Sequence, residues 1–307
     1  MNSIKKIYCR TFQAAFRLAM PFMPYREPEI LNNVEEIASV LKKSGIKSVL
    51  LVTGKTRRQS GATAKLEKSL ANAHINCAVY DQTQPNPTVH NVEAAREIYV
   101  KENCEAIIAF GGGSPIDCAK AVGARIAYPH KTVNQMKGLL KVLKKIPTLI
   151  AIPTTAGTGS EVTITSVITN SEMKHKYTMN SFPLIPHYAV LDPAVTFSLP
   201  PSLTATTGMD ALTHAVEAFI GGSTTTETRT YAKEAVRLIF NNLETAYSDG
   251  TNETARRNML HASYIAGIAF SKSYVGYRCQ RRRHRTAERR KAYHAWQGRR
   301  VSFALTQ

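Results

Sequence analysis

The sequence predicts an α/β fold in which an N-terminal parallel-sheet domain is followed by an all-helical domain. Three observations carry this prediction. From about residue 48, short β-branched apolar runs alternate with helical stretches, which is typical of βαβ units. The runs are apolar throughout, as in strands of a parallel sheet that is covered on both faces. After Pro200 and Pro201 the strand-like runs cease, and small and apolar residues recur at spacings of three and four.

The elements follow in order along the chain. Four strands are predicted, over Ser48–Thr53, Asn76–Tyr80, Ala106–Phe110 and Thr148–Pro153. Helices are predicted between them, over Ala62–Ala73, Val89–Glu102 and Ile116–Ile126. Further helices are predicted over Leu203–Ile220, Thr226–Glu244 and Thr254–Ala269. We therefore divide the chain into an α/β domain over residues 1–200, the start of a helical domain over 201–277 and a basic tail over 278–307.

The positive charge of the chain is concentrated in this tail. Residues 278–307 carry ten Lys or Arg against one Glu, which is half of the formal net charge of +18. The remaining residues are only moderately basic, so we do not expect nucleic acid as a partner. Five scattered cysteines and the lack of a long apolar run favour a reducing cytoplasm and no membrane partner.

The strongest local motif is a glycine-rich turn between a strand and a helix. The strand at Ala106–Phe110 runs into Gly111–Gly113, and we predict Ser114 as the helix N-cap with Asp117 in the first turn. Glycines let a ligand approach the backbone, and a helix N-terminus offers amide donors to a phosphate. The usual GxGxxG spacing is not met, because Ile116 occupies the place of the third glycine. A turn without a ligand remains the alternative.

Two further polar turns are predicted at the same edge of the sheet. Pro85–Thr88 precedes a helix, and Ile152–Thr163 follows a strand and offers hydroxyl groups at Thr154, Thr155 and Thr158. Polar turns at the carboxyl ends of parallel strands indicate a ligand-binding crevice there.

A candidate metal site lies in the predicted helical domain. Asp210 and His214 are four residues apart, so both side chains project from one face of a helix and are able to share a metal ion. The alternative is a polar helix face without a metal. Small apolar residues flank the pair, and they favour the metal because a buried carboxylate and imidazole need a partner.

Four motifs in order resemble the iron-containing, group III alcohol dehydrogenase family. They are PNPT at 85–88, GGGSPIDCAK at 111–120, IPTTAGTGSEVT at 152–163 and TATTGMDALTHAVEAFIGG at 204–222. The resemblance implies a dinucleotide-binding α/β domain and a helical domain, with a metal and the nicotinamide in the cleft between them. It also implies the interconversion of small alcohols with aldehydes or ketones by means of NAD or NADP.

The resemblance assigns roles to individual residues. It implies that the cofactor's phosphates and ribose are held by Gly112, Gly113, Ser114 and Asp117. It implies that phosphate or nicotinamide is contacted by Thr154, Thr155 and Thr158, and that Lys176 lies near the ribose. Asp210 and His214 match the first two metal ligands, for which Fe(II) or Zn(II) is expected. A homo-oligomer is also expected.

The chain departs from the family pattern in two places. In relatives the first strand's Val-Thr is commonly followed by Asp, which disfavours a 2′-phosphate, whereas here Gly54 follows, with Lys55, Arg57 and Arg58 nearby. This change predicts that NADP is accepted, unless the cations are simply solvated.

The second departure follows Ser271–Tyr277, where a segment with two more metal-binding histidines is expected. The chain instead becomes Arg-rich. We interpret this as a frame change, with a natural basic tail as the alternative, and predict an impaired enzyme. The rival function is a noncatalytic nucleotide-binding protein whose basic tail contacts nucleic acid.

Overall fold

The computed structural model describes residues 24–170 and 175–273, so the predicted tail at 278–307 lies outside the described residues. Within them the strands are β1 (Glu29–Leu31), β2 (Ser48–Val52), β3 (Asn76–Tyr80), β4 (Ala106–Gly111), β5 (Gly138–Leu139), β6 (Thr148–Pro153), β7 (Thr165–Asn170), β8 (His175–Asn180) and β9 (Tyr188–Val190). The α-helices are α1 (Glu36–Lys43), α2 (Lys55–Gln59), α3 (Ala64–Asn72), α4 (Val89–Lys101), α5 (Gly113–Ala127), α6 (Pro201–Ile220), α7 (Thr226–Ser248) and α8 (Glu253–Ser273).

The larger sheet has the order β1-β9-β6-β4-β2-β3, and all its pairs are parallel. Side chains alternate between its two faces. Leu50 and Ile107 pack in one core with α4 and α5, whereas Leu51 and Ile108 pack in a second core with α1 and α3. Burial on both faces explains why these strands are apolar throughout.

A smaller sheet, with the order β5-β8-β7, lies beside α5. β7 and β8 are antiparallel, and β5 adds to β8 in parallel. The hydroxyl group of Ser166 in β7 donates to the carbonyl oxygen of Asp117 in α5 at 2.7 Å. This contact joins the smaller sheet to the helix that follows the glycine turn.

The three long helices α6, α7 and α8 form the helical part. Their close contact with the α/β part depends on two glycines. Gly159 has a left-handed φ of +59°, and a Cβ built on Gly267 in α8 would lie 3.0 Å from the carbonyl oxygen of Gly159. A larger residue at position 267 would push α8 away from the loop after β6. None of the helices in the described part of the chain has the length and apolar character needed to span a bilayer.

The predicted fold class is confirmed, since a parallel sheet precedes a helical part. The four predicted strands are all present in the structure, and the predicted helices differ from it mainly at their ends. The strands β1, β5 and β9 were not predicted, because two or three residues carry no periodicity. The strands β7 and β8 were also not predicted, because their sequences TSVITN and HKYTMN are not continuous apolar runs. The division at residues 200 and 277 stays a prediction.

Candidate functional site

The glycine turn brings the backbone of β4 directly into α5. The helix begins at Gly113, and Gly112 is its N-cap with an extended backbone and without a capping side chain. The prediction that Ser114 is the N-cap was therefore wrong, because the helix already begins one residue before it. The hydroxyl oxygen of Ser114 instead accepts a hydrogen bond from the backbone N–H of Asn86 at 3.2 Å. The helix N-terminus thus keeps backbone N–H donors without a side-chain partner.

The threonine loop after β6 lies against the two glycines. A Cβ on Gly112 would lie 3.1 Å from the Oγ1 atom of Thr155, and a Cβ on Gly113 would lie 3.1 Å from that of Thr158. A side chain at either position would press on the threonine loop, so glycine favours the close contact between the two turns as well as access by a ligand. The Oγ1 atom of Thr154 is buried and has no hydrogen-bond partner in the described structure. A buried hydroxyl group without a partner is costly, and a ligand would relieve that cost.

Lys176 reaches the same edge of the sheet from β8. Its Nζ atom donates to the Oδ1 atom of Asn86, the residue whose backbone N–H contacts Ser114. Asn86 has a left-handed φ of +59°, which an asparagine tolerates in a turn. The structure therefore brings Lys176, the PNPT turn and the start of α5 together, while the role of Lys176 near a ribose stays a prediction.

The carboxyl group of Asp117 in α5 accepts hydrogen bonds from neighbouring elements of the protein. Its Oδ1 atom accepts from the hydroxyl group of Ser160 at 2.7 Å, and its Oδ2 atom accepts from the N–H of Val167 at 3.0 Å. Burial raises the pKa of Asp117, while Lys120 and these hydrogen bonds oppose the rise. Both carboxyl oxygens thus tie α5 to the neighbouring loop and to β7.

Two buried charged residues beneath the turn were not recognised in the sequence. Lys120 is fully buried, and its Nζ atom donates to the carbonyl oxygens of Thr163 and Thr165 at 2.8 and 2.9 Å. Burial lowers the pKa of Lys120 to about 8, although Asp117 and Glu161 oppose this. Glu161 is also buried, its Oε1 atom has no partner in the described residues, and burial raises its pKa to about 7.

The predicted metal ligands lie on one face of α6. The Nε2 atom of His214 is 3.9 Å from the Oδ1 atom of Asp210. The imidazole ring also contacts the ring of Phe270 in α8, with 4.8 Å between the ring centroids. In the part of the chain that the structure describes, no group of three or more His, Cys, Asp or Glu residues is arranged to hold a metal ion. Within the described residues the predicted site therefore consists of the Asp210 carboxylate and the His214 imidazole, and its role as a metal site stays a prediction.

The threonine loop connects the glycine turn with the predicted metal ligands. A Cβ on Gly157 would lie 2.7 Å from the Cβ atom of Thr207, so the backbone of the loop touches α6 three residues before Asp210. The same loop touches Gly112 through Thr155. The loop thus links the glycine turn to the helix that bears Asp210 and His214, at the edge of the parallel sheet where open α/β sheets bind their ligands.

The chain belongs to the iron-containing alcohol dehydrogenase family. The model of that family, "Iron-containing alcohol dehydrogenase", matches residues 31–193. A second model, "Fe-containing alcohol dehydrogenase family, C-terminal", matches residues 204–280. The two matches cover the α/β part and the helical part in the expected order.

Similar proteins agree with this membership. The chain is 40% identical over 265 residues to the 1,3-propanediol dehydrogenase of Klebsiella pneumoniae. The aligned region covers 85% of this chain and 67% of that protein. The crystal structure of a 1,3-propanediol oxidoreductase matches with a TM-score of 0.79 and 38% identity over 82% of this chain and 67% of that one. The sulfoacetaldehyde reductase of Bifidobacterium kashiwanohense, solved in complex with NAD+, matches with a TM-score of 0.74 and 34% identity over 81% and 67%. The chain spans about two thirds of the length of the curated relatives that it matches.

Proposed function

We propose that this protein is a metal-dependent dehydrogenase that interconverts small alcohols with aldehydes or ketones and uses NAD or NADP. The observation that carries the proposal is the threonine loop, which touches both the glycine turn and the helix that bears Asp210 and His214. Family membership supports the reaction type. The similarity to a 1,3-propanediol dehydrogenase and a 1,3-propanediol oxidoreductase supports a small substrate, such as 1,3-propanediol.

The glycine turn fits the pyrophosphate of a dinucleotide. The N-terminus of α5 has no capping side chain, so its N–H groups and its dipole are available to an anion. The hydroxyl group of Thr154, buried without a partner, supplies a further donor. Lys176 adds a positive charge from β8. When bound, the nicotinamide accepts or donates the hydride, and these residues orient the cofactor for it.

The ligand pair on α6 fits part of a metal centre. One carboxylate and one imidazole suit Fe(II) or Zn(II), and such a metal, when bound, polarises the substrate oxygen. Catalytic zinc sites use three protein ligands as a rule, and the described residues supply Asp210 and His214. We therefore propose weak metal binding and impaired turnover. Metal analysis of the purified protein tests this proposal, and stoichiometric, tightly held iron or zinc would contradict it.

The choice between NAD and NADP depends on the turn after β2. The Nη2 atom of Arg58 lies 3.6 Å from the Oε2 atom of Glu67, and its Nη1 atom lies 3.5 Å from the Oδ2 atom of Asp81, so the charge of Arg58 is already paired. Lys55, by contrast, is exposed. Gly54 brings no carboxylate that would repel a 2′-phosphate. These features support the proposal that NADP is accepted as well as NAD. Fewer cations are available to pair with the 2′-phosphate than the sequence indicated.

We also propose a cytoplasmic location and a homo-oligomer. The described cysteines Cys77, Cys104 and Cys118 are free thiols, which suits a reducing compartment. The alternative function, a contact between the tail and nucleic acid, concerns residues outside the described part and stays a prediction.

Calorimetry of the full chain with NAD and NADP tests the proposal. Thr154→Val removes the buried hydroxyl group but keeps the side-chain shape, so we expect a loss of about 1 kcal/mol, which is about fivefold in Kd. Thr230→Val is the matched control, since Thr230 is exposed on α7 and bonds only within its helix. A wild-type chain that binds neither dinucleotide, but binds DNA in a salt-dependent manner, would refute the proposal in favour of the alternative.

A further inference from the structure

The segment between α5 and β6 combines exposed leucines with lysines. Its residues 137–145 read KGLLKVLKK, and we call them the Lys-Leu loop. The surrounding sequence is uniformly basic, because residues 118–160 contain seven Lys or Arg and no Asp or Glu. Neither the proposed reaction nor the fold requires this composition.

The loop holds its leucines on the surface. Leu139 is 41% exposed, Leu140 is 40% exposed and Leu143 is 70% exposed. Val142 and Ile146, by contrast, are buried and anchor the loop to the core around α5. The three leucines are therefore exposed in a segment whose other apolar side chains are packed in the core.

Hydrogen bonds fix the backbone of the loop. The hydroxyl oxygen of Tyr128 accepts from the N–H groups of Leu143 and Lys144 at 3.0 and 3.1 Å. The hydroxyl oxygen of Ser181 accepts from the N–H of Val142 at 3.1 Å. The start of the loop pairs with β8 as strand β5. The loop is thus an ordered surface that keeps its shape before a partner arrives, which lowers the entropic cost of binding.

The lysines of the loop are exposed and unneutralised. Lys137, Lys141, Lys144 and Lys145 are all exposed, and none lies within ion-pair distance of a carboxylate in the described residues. Lys137 and Lys144 lie over the rings of Tyr177 and Tyr128, which keeps their charges near the loop. The loop therefore combines several positive charges with the three exposed leucines.

The C-terminal half of the loop, at Leu143 and Lys144, contacts Tyr128 at the C-terminal end of α5, whereas the glycine turn lies at the N-terminal end of that helix. The Lys-Leu loop precedes β6 at Thr148, whereas the threonine loop begins at the other end of that strand, at Thr154. A partner on the Lys-Leu loop would leave the carboxyl edge of the sheet open to cofactor and substrate.

We infer that the Lys-Leu loop docks this protein on an anionic membrane surface. Leucines enter the boundary between headgroups and acyl chains, and the lysines pair with lipid phosphates and carboxylates. A second copy of the loop would be repelled by like charge, and nucleic acid offers phosphates to the lysines but no acyl-chain layer for the leucines. The absence of a membrane partner was predicted from the lack of a long apolar run, and such a run is needed to span a bilayer but not to contact its surface.

Sedimentation of the full chain with phosphatidylserine-containing vesicles tests the inference. Combined Leu139→Ser, Leu140→Ser and Leu143→Ser substitutions should lower the partition coefficient by about tenfold or more, because apolar insertion is lost. Phe240→Ser is the matched control, since Phe240 is 72% exposed on α7 and should not affect binding. Circular dichroism confirms that each variant folds. Unchanged binding by the leucine variant would assign vesicle binding to other basic residues and overturn the inference.

A fluorescence experiment locates the contact. Leu143→Trp should show a blue shift with anionic vesicles and none with phosphatidylcholine vesicles, whereas Phe240→Trp should show none with either. A blue shift of Leu143→Trp with polyglutamate but not with vesicles would identify an acidic protein as the partner and would overturn the membrane contact. No shift with any probe would overturn it as well.

Discussion

The buried carboxyl group of Glu161 should make the stability of this protein depend on pH in a specific way. Burial raises its pKa from 4.5 to about 7, while a backbone hydrogen bond and Lys120 partly oppose the rise. Between these two pH values the folded protein keeps the proton and the unfolded chain loses it. Unfolding then releases a proton, so the free energy of unfolding falls as pH rises through this window.

The expected size follows from the shift. At 1.36 kcal/mol per unit, a rise from 4.5 to about 7 costs about 3 kcal/mol once the group is ionised. Glu161→Gln has nearly the same shape and no charge at any pH. Its advantage in stability over the wild type should therefore grow by about 3 kcal/mol between pH 4.5 and pH 7.5.

Urea unfolding at a series of pH values measures this difference. Glu97→Gln on α4 is the control, because Glu97 is exposed and its carboxyl group is hydrated in both states. The control should differ from the wild type by a nearly constant amount. If Glu161→Gln also differs by a constant amount across the window, the buried carboxyl group is not desolvated and the reasoning fails.

The other predictions address packing, metal binding and the cofactor. Gly267→Ala should destabilise the fold by about 2 kcal/mol or more in urea unfolding, since the new methyl group would lie 2.6 Å from Val162 and 3.0 Å from the backbone of Gly159. Asp210→Asn should weaken Zn(II) binding in competition with a chelating dye, and equal affinity would remove Asp210 from the metal site. Gly54→Asp should shift the preference from NADP towards NAD in calorimetry, and a wild type that already prefers NAD clearly would contradict the proposed role of this turn.

The central strands were predicted well because burial on both faces gives a strand a continuous apolar sequence. β2, β4 and β6 are continuous apolar runs, and each lies inside the sheet with a helix layer on either side. Their order in the sheet does not follow from such runs. β9 pairs with β6 and β1 through only a few residues, so long-range packing rather than local propensity decides those pairs.

The start of α5 shows why a local rule failed. Serine is a favoured N-cap, so Ser114 was predicted to cap the helix. The backbone of Gly112 is instead extended, with φ and ψ of −75° and −161°, and the helix begins directly after it. The missing side chain leaves room for Thr155, whose position depends on a strand more than 30 residues away. A rule based on adjacent residues does not include that contact.

The buried charges were missed for a related reason. Lys120 bonds to carbonyl oxygens more than 40 residues away, and Glu161 is buried by the folding of its loop against α8. A lysine within an apolar helix stretch is a weak signal, since such a side chain is able to reach the surface from many helix positions. Only the tertiary structure shows that Lys120 turns inward.

The position of the metal ligands relative to the cofactor turn is set by the backbone. Gly157 touches Thr207 on α6, and the same loop continues to Gly159, which touches Gly267 on α8. Both contacts involve glycines that have no side chain to adjust. Because these contacts leave little room for sliding, the distance between the glycine turn and Asp210 is held more firmly than long side chains would allow. A weak metal site would therefore result from the number of ligands that the described residues supply rather than from a misplaced helix.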